Sequence, residues 1–189
     1  RLRHGRPGAG AGRHALSPLA FRPATAGDIA RLHRLIESAY RGDAARRGWT
    51  HEADLLDGQR TDAAELSALV ANPARVLLMA EQKGELVGCV QVTDLGDDLA
   101  YLGMLTVDPE RQAGGLGRKL LEAAEAWGRD RFGAGAMEMT VIGQRRELIA
   151  WYERRGYALT GETRPFPMDD PRFGLPREPL FFVVLRKRL

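Results

Sequence analysis

The chain has 189 residues, 44% hydrophobic and 28% charged, enough apolar material for one sizeable core and too little for two. Its formal charge of +3 arises at the start, where Arg1, Arg3, Arg6 and Arg13 precede residue 18 without an acid; the remaining 24 basic and 25 acidic residues nearly cancel, which argues against specific nucleic-acid binding by the domain. No run approaches the roughly 20 apolar residues of a membrane span, and a single cysteine, Cys89, leaves no internal disulfide or cysteine-based metal site and makes a reducing cytoplasm the expected setting.

Residues 1–18 are rich in Gly, Ala and Arg, lack a hydrophobic period and read as a disordered extension. An Arg-rich, acid-free start suits a transit peptide, but serine is scarce and no apolar signal region follows. One folded domain is expected over 19–189. It opens with a strand at 19–22, a turn at Pro23-Ala24-Thr25 and a helix from about Asp28, whose apolar stripe is Ile29, Leu32, Leu35, Ile36 and Ala39. Residues 41–60 are polar and irregular, apart from 50–56, where Thr50 can cap a short helix. Asp62 with Glu65 marks the next helix start and Asn72-Pro73 its end.

Three strands follow at 76–81, 86–93 and 99–107, joined by turns at Lys83-Gly84 and Gly96-Asp97-Asp98, and they read as an antiparallel meander. Cys89 within it is expected to be a buried packing thiol. Farther on come a strand at 137–142, a helix at 147–155 ending at Gly156, and strands at 158–163 and 181–186. The bridge 166–179 holds four prolines that exclude helix or central strand, so it is either a substrate lid or an extended hairpin.

The clearest chemistry lies in 104–125, MLTVDPERQAGGLGRKLLEAAE. Leu102, Met104, Leu105 and Val107 form an apolar run stopped by Asp108-Pro109. From Leu116 the apolar positions Leu120, Leu121, Ala124 and Trp127 recur at the helical period, with Arg118, Lys119, Glu122 and Glu125 opposite. A strand therefore turns into a helix near Gly115. Gly114, Gly115 and Gly117 place no Cβ between a ligand and the main chain, and the first helical amides with the positive dipole end suit a pyrophosphate, which Arg118 can reinforce. The same glycines equally describe a softened corner without a ligand. A Walker loop does not fit, because Arg118 separates Gly117 from Lys119 and Leu120 follows. Nor does a dinucleotide fingerprint, because Leu120 stands at its third glycine.

Gln112, Gly115 and Gly117, downstream of Val107-Asp108-Pro109, make this stretch resemble the acetyl-coenzyme A signature Q/R-x-x-G-x-G/A of the GNAT superfamily of N-acyltransferases. Arg22-Pro23-Ala24-Thr25 ahead of an acidic residue and an amphipathic helix resembles the amino terminus of many of its domains. The resemblance implies an α/β (α+β) fold with a mixed, largely antiparallel central sheet of six to seven strands flanked by about four helices. It implies acetyl-CoA as co-substrate, held by the main chain of Leu105, Thr106 and Val107, which also polarises the thioester oxygen, and by Gln112, Ala113, Gly114, Gly115, Leu116, Gly117 and Arg118.

The run 148–157, LIAWYERRGY, is similar to the second GNAT signature, and Tyr152 stands four residues before Gly156-Tyr157 as the family's helical tyrosine does. The resemblance assigns Tyr152 to protonate the departing thiolate; the residues alone equally allow a packed tyrosine with its hydroxyl satisfied. The family's usual asparagine, seven positions earlier, is Arg145 here, either a donor to the cofactor or a solvated residue at a helix start. Tyr101 occupies a position where some members carry a catalytic glutamate, so no general base is identified; Glu52, Asp54, Glu81 and Glu138 are the carboxylates near expected cleft elements. His4, His14, His33 and His51 show no ligand spacing, and no metal is expected. Trp49, Glu52, Arg60, Phe166 and Phe173 are expected to face the acceptor.

These features together imply a cytoplasmic N-acetyltransferase acting on a primary amine of a small molecule or peptide, with no specific nucleic-acid or membrane partner and a homodimer left open. A non-catalytic acyl-CoA sensor built on the same turn is the alternative, and a nucleic-acid-binding module using the basic tail is a third reading.

Overall fold

Strand β3 (Arg75–Gln82) is apolar almost throughout because both of its faces are covered. Val76, Leu78 and Ala80 enter one core cluster, while Leu77 and Met79 enter another on the opposite face. The computed structural model describes residues 18–41, 45–47 and 52–189. Residues 1–17, Trp49 and the expected Thr50 cap with His51 lie outside them.

Seven strands form the main sheet in the order β1-β3-β4-β5-β6-β9-β7, with β1 at Ala20–Pro23, β4 at Glu85–Gly96, β5 at Leu99–Val107, β6 at Ala136–Ile142, β7 at Ala158–Pro165 and β9 at Phe181–Arg188. Every neighbouring pair is antiparallel except β5 with β6. Among the described residues, four helices of eight or more residues flank it. Helices α1 (Ile29–Tyr40) and α2 (Ala63–Ala71) cover one face through Leu32, Ile36, Leu66 and Leu69. Helix α3 (Leu116–Phe132) covers the other through Leu116, Leu120, Leu121 and Ala124, and α4 (Arg146–Glu153) joins that cluster through Leu148, Trp151 and Tyr152.

The local signals act as the sequence suggests. Thr25 and Asp28 form a capping box ahead of α1, the Asp28 carboxylate accepting from the Thr25 amide at 2.9 Å. Asp62 caps α2 by accepting from the Glu65 amide at 2.8 Å. Cys89 is fully buried, its packing role as expected.

Two segments differ from expectation. The chain does not continue as a helix through residue 56: Leu56–Asp57 is a short strand, β2, because Leu56 is drawn into a small cluster with Ile142, Phe166 and Leu180. The proline-rich bridge contains its own two-residue strand, β8 (Leu175–Pro176), which pairs antiparallel with β2. Arg177 clamps the join by binding both carboxylate oxygens of Asp57. The bridge is thus tied to the segment after α1.

Two irregularities open the sheet where β5 ends. Between the pairs Cys89↔Thr106 and Gln91↔Gly103 the β5 strand carries one residue more than β4, a bulge in which Met104 adopts a left-handed φ of 52°. On its other edge β5 pairs with β6 only over Leu99–Tyr101 against Ala136–Glu138, and the two strands then separate.

Candidate functional site

The glycine turn forms one wall of the opening. Past Val107, Asp108 accepts from the Glu110 amide at 3.0 Å, Pro109–Gly114 make a 3-10 turn, and Gly115 adopts a left-handed φ of 69° before α3 begins at Leu116. Gly115 needs glycine for that backbone. A Cβ built on Gly114 or Gly115 would meet nothing within 4 Å, so this main chain is open to a ligand. Gly117 differs: a Cβ there would touch Trp151 and Val107 at 3.6 and 3.7 Å, which is ordinary contact, so packing alone does not demand a glycine.

A cleft of about 600 Å³ runs from this turn along α4, lined among others by Val107, Gln112, Gly115, Trp151, Tyr152 and Arg155. Three expected cofactor contacts are narrowed by their surroundings. Leu116 has its side chain in the core and Thr106 turns its hydroxyl to the Met104 carbonyl at 2.9 Å, so only their main chain is on offer. Arg118 borders the cleft but pairs with Glu122 at 2.7 Å, because i and i+4 residues meet on a helix face. Ala113 belongs to the 3-10 turn.

A second, larger cleft of about 1100 Å³ lies where β5 and β6 part, between their side chains and the 52–60 and 166–182 segments. It brings together Glu52, Arg60, Phe166 and Phe173, all expected to face the acceptor; Trp49 lies outside the described residues. Phe166 is buried and packs on Phe182 at 5.1 Å, whereas Phe173 is exposed. Tyr101 also lines this cleft and shares a hydrogen bond with Thr140 at 2.7 Å, joining β5 to β6 where they begin to separate. Of the other carboxylates, Glu81 is taken up by Arg22 and Arg31, Glu138 by Arg164 and Arg186, and exposed Asp54 by Arg46.

Tyr40, Leu105, Arg145, Leu148 and Tyr152 border both clefts and mark their junction. Tyr152 is buried, edge-on to Trp151 at 5.0 Å and to Tyr157 at 5.8 Å, and burial pushes its phenol well above the ordinary value. The hydroxyl therefore stays protonated across the neutral range. Tyr40 donates its hydroxyl to the Leu105 carbonyl within the β5 bulge and carries the Arg60 guanidinium 5.2 Å above its ring.

Arg145 is not the solvated residue that one reading of the sequence allowed. Its side chain is 10% exposed and reaches Glu52 at 3.4 Å, and its buried Nη2 has no hydrogen-bond partner among the described residues. Glu52 also accepts from buried Arg41 at 2.6 Å. Burial would push the Glu52 carboxyl up, but Arg145, Arg60 and Arg41 outweigh it and hold the group below its ordinary range. Glu52 is thus a fixed anion that positions arginines and is poorly suited to accept a proton.

Sequence reasoning missed Tyr40, Arg41, Trp151 and Arg155. The last two carried a signal: they stand four residues apart, Trp151 on α4 and Arg155 in the turn that follows it, and Arg155 stacks on the Trp151 ring at 3.6 Å along the first cleft. Among the described residues, no group of three or more His, Cys, Asp or Glu could hold a metal ion. No helix among them is long and apolar enough to cross a membrane.

The model of the acetyltransferase (GNAT) family matches residues 30–157. No curated protein matches the chain significantly. Among solved structures, a Salmonella typhimurium protein, yncA, described as an acetyltransferase and solved with its cofactor acetyl-CoA, is 20% identical, with a TM-score of 0.65 over 92% of this chain and 95% of that one. A ribosomal-protein-alanine N-acetyltransferase from Brucella melitensis is also 20% identical, with a TM-score of 0.66 over 90% and 99%. A chimera of spermidine N-acetyltransferase SpeG from Vibrio cholerae with hSSAT is 16% identical, with a TM-score of 0.64 over 90% and 95%. These likenesses establish a shared fold.

Proposed function

The chain belongs to the GNAT acetyltransferase family, and from that premise we propose that it transfers the acetyl group of acetyl-CoA to a primary amine of a small molecule by direct attack. One observation carries the reading: Tyr152 stands where a cleft leading from the open glycine turn meets a second cleft walled by charged and aromatic side chains. The open main chain of Gly114 and Gly115 and the first amides of α3 suit the pyrophosphate. Gln112, Arg118 and the backbone of Leu105, Thr106 and Val107 would hold the rest of a molecule that supplies a thioester-activated acetyl group.

In this reading the β5 bulge turns main-chain groups toward the splay between β5 and β6, and Tyr40 fixes the bulge through the Leu105 carbonyl. Tyr152 Oη, kept protonated by burial, gives its proton to the departing sulfur. The acceptor must arrive as a free amine, which at pH 7 costs roughly 4.6 kcal/mol for an amine of pKa near 10.4. Glu52, held ionised by its arginines, is a weak base. The arginines themselves offset part of the cost, because a positive field and apolar walls both disfavour the ammonium form.

Release of free thiol from acetyl-CoA over a broad amine panel tests the reading. Amine-dependent release is expected. Tight acetyl-CoA binding with no release across the panel would leave the non-catalytic sensor in its place.

A further inference from the structure

We propose that the acceptor carries a carboxylate of its own beside the reacting amine, as a free amino acid with an apolar side chain does, and that Arg60 and Arg145 hold that carboxylate. The inference rests on the acetyltransferase reading and concerns the acceptor half of the same site.

The charge around the second cleft is unbalanced and its carboxylates are engaged. Among the described residues, two carboxylates border it, Glu52 and Glu65. Glu52 is shared between Arg41 at 2.6 Å and Arg145 at 3.4 Å, and exposed Glu65 accepts from the Thr61 hydroxyl at 2.6 Å. Against these two stand three arginines: Arg60 and Arg145 in the lining and Arg41 directly behind Glu52. The surplus is also visible atom by atom. Among the described residues, Nη2 of Arg145 in the lining is buried with no hydrogen-bond partner. A buried N–H left without an acceptor costs free energy comparable to a lost hydrogen bond, more when it is charged, so such a donor in a cleft calls for an anion. The planar guanidinium fork matches a carboxylate.

The remaining walls limit what the anion belongs to. Leu56, Met139, Phe166, Phe173 and Phe182 give the cleft an apolar side, which suits an aliphatic or aromatic side chain. A polyamine fits poorly, since its second ammonium would meet Arg60 and Arg145 with both nearby carboxylates already engaged. The strap formed by β2 with β8 and the Arg177–Asp57 pair ties the 166–179 bridge to residues 56–57 beside the cleft, an arrangement that favours a small molecule over a protein segment. Arg145 borders the acetyl-CoA cleft as well as this one, so a carboxylate on it leaves an amine of the same molecule at the junction beside Tyr152 only if the two groups are a few bonds apart. That is the spacing of an α-amino acid.

The test compares L-leucine, L-methionine and L-phenylalanine with their carboxamides, their decarboxylated amines and spermidine, following thiol release from acetyl-CoA by the wild-type protein. At least one amino acid should exceed its own carboxamide by about 10- to 150-fold in kcat/KM, the worth of a hydrogen-bonded charge. In R60Q and R145Q the ratio of amino acid to carboxamide in kcat/KM should fall toward one, the amino acid losing more than its carboxamide chiefly through a raised KM. Because R145Q also disturbs half-buried Glu52, its melting is recorded alongside, and the wild-type comparison of acid with amide stands without any variant. Equal turnover of acids and amides, or a best rate with spermidine, overturns the inference and leaves the acetyltransferase reading intact. An R145Q effect confined to acetyl-CoA affinity overturns the assignment of Arg145 to the acceptor. Release with no amine in the panel overturns the acetyltransferase reading, and this inference with it.

Discussion

Replacing Tyr152 with phenylalanine removes one oxygen and little else. The ring is 4% exposed and edge-on to Trp151 at 5.0 Å and to Tyr157 at 5.8 Å, and phenylalanine keeps both contacts and nearly all of the buried area. A near-isosteric change of this kind costs less than about 1.5 kcal/mol of stability. If the hydroxyl is the proton donor to the leaving thiolate, its loss should lower kcat by about 10²–10⁴, roughly 3–5 kcal/mol of barrier. Packing and catalysis therefore separate by orders of magnitude in one variant. The assay is single-turnover and steady-state thiol release with an acceptor from the amine panel, beside acetyl-CoA binding by calorimetry and urea denaturation. Expected are an unchanged Kd for acetyl-CoA, a small shift in unfolding midpoint and a large fall in kcat. A variant that folds, binds acetyl-CoA and turns over at the wild-type rate would show that another group, such as water or Arg145, supplies the proton.

Gly115→Ala forces a Cβ into a left-handed φ of 69° with open space around it, so it should cost about 1–2 kcal/mol in urea denaturation from backbone strain alone; Gly117→Asp, where a Cβ fits but a carboxylate would repel a phosphate, should instead keep the fold and weaken acetyl-CoA binding at least about tenfold by calorimetry. Unchanged affinity in folded Gly117→Asp would remove the phosphate cradle from the reading. Asp62→Ala should destabilise the protein by about 1 kcal/mol, since the 2.8 Å cap to the Glu65 amide is lost, and a circular-dichroism melt without a shift would show that the cap contributes nothing. Burial raises the Cys89 thiol from 9.0 to about 12, so the folded protein keeps a proton that the unfolded chain releases first. Its contribution is complete below pH 9.0 and is lost as pH rises toward about 12, at about 1.4 kcal/mol per pH unit, and Cys89→Ala should flatten that decline in urea titrations between pH 8 and 10.

The half of the site that the sequence reveals is the local half. The glycine turn is legible because its helix start, its glycines and its proline stop all fall within a few residues, and Tyr152 because the Gly156-Tyr157 pair stands beside it. The acceptor half depends on pairs far apart in the chain. Glu52 and Arg145 are 93 residues apart, Tyr40 and Leu105 65, Asp57 and Arg177 120, and nothing in the hydrophobic period of either partner announces the other. Strands β2 and β8 escaped for a related reason: two residues have no period, and their pairing is set by docking Leu56 beneath Phe166 and Leu180. The meander was legible in outline, but its bulge at Met104, the feature that shapes the junction, is a property of register and not of composition.

The short parallel seam between β5 and β6 has a mechanical consequence. The sheet behaves as two plates, β1-β3-β4-β5 and β6-β9-β7, riveted along one edge by three residue pairs and the Tyr101–Thr140 hydroxyl contact, with α3 spanning the back. A joint of that length is a compliant line across the sheet, and a ligand wedged into it would act as a second rivet. Amides on the free edges of residues 102–107 and 139–142 should then exchange with solvent faster than their neighbours facing β4 and β9, and slow when acetyl-CoA is added. The stability gained would follow the ligand's concentration relative to its Kd, about 2.7 kcal/mol at a hundredfold excess.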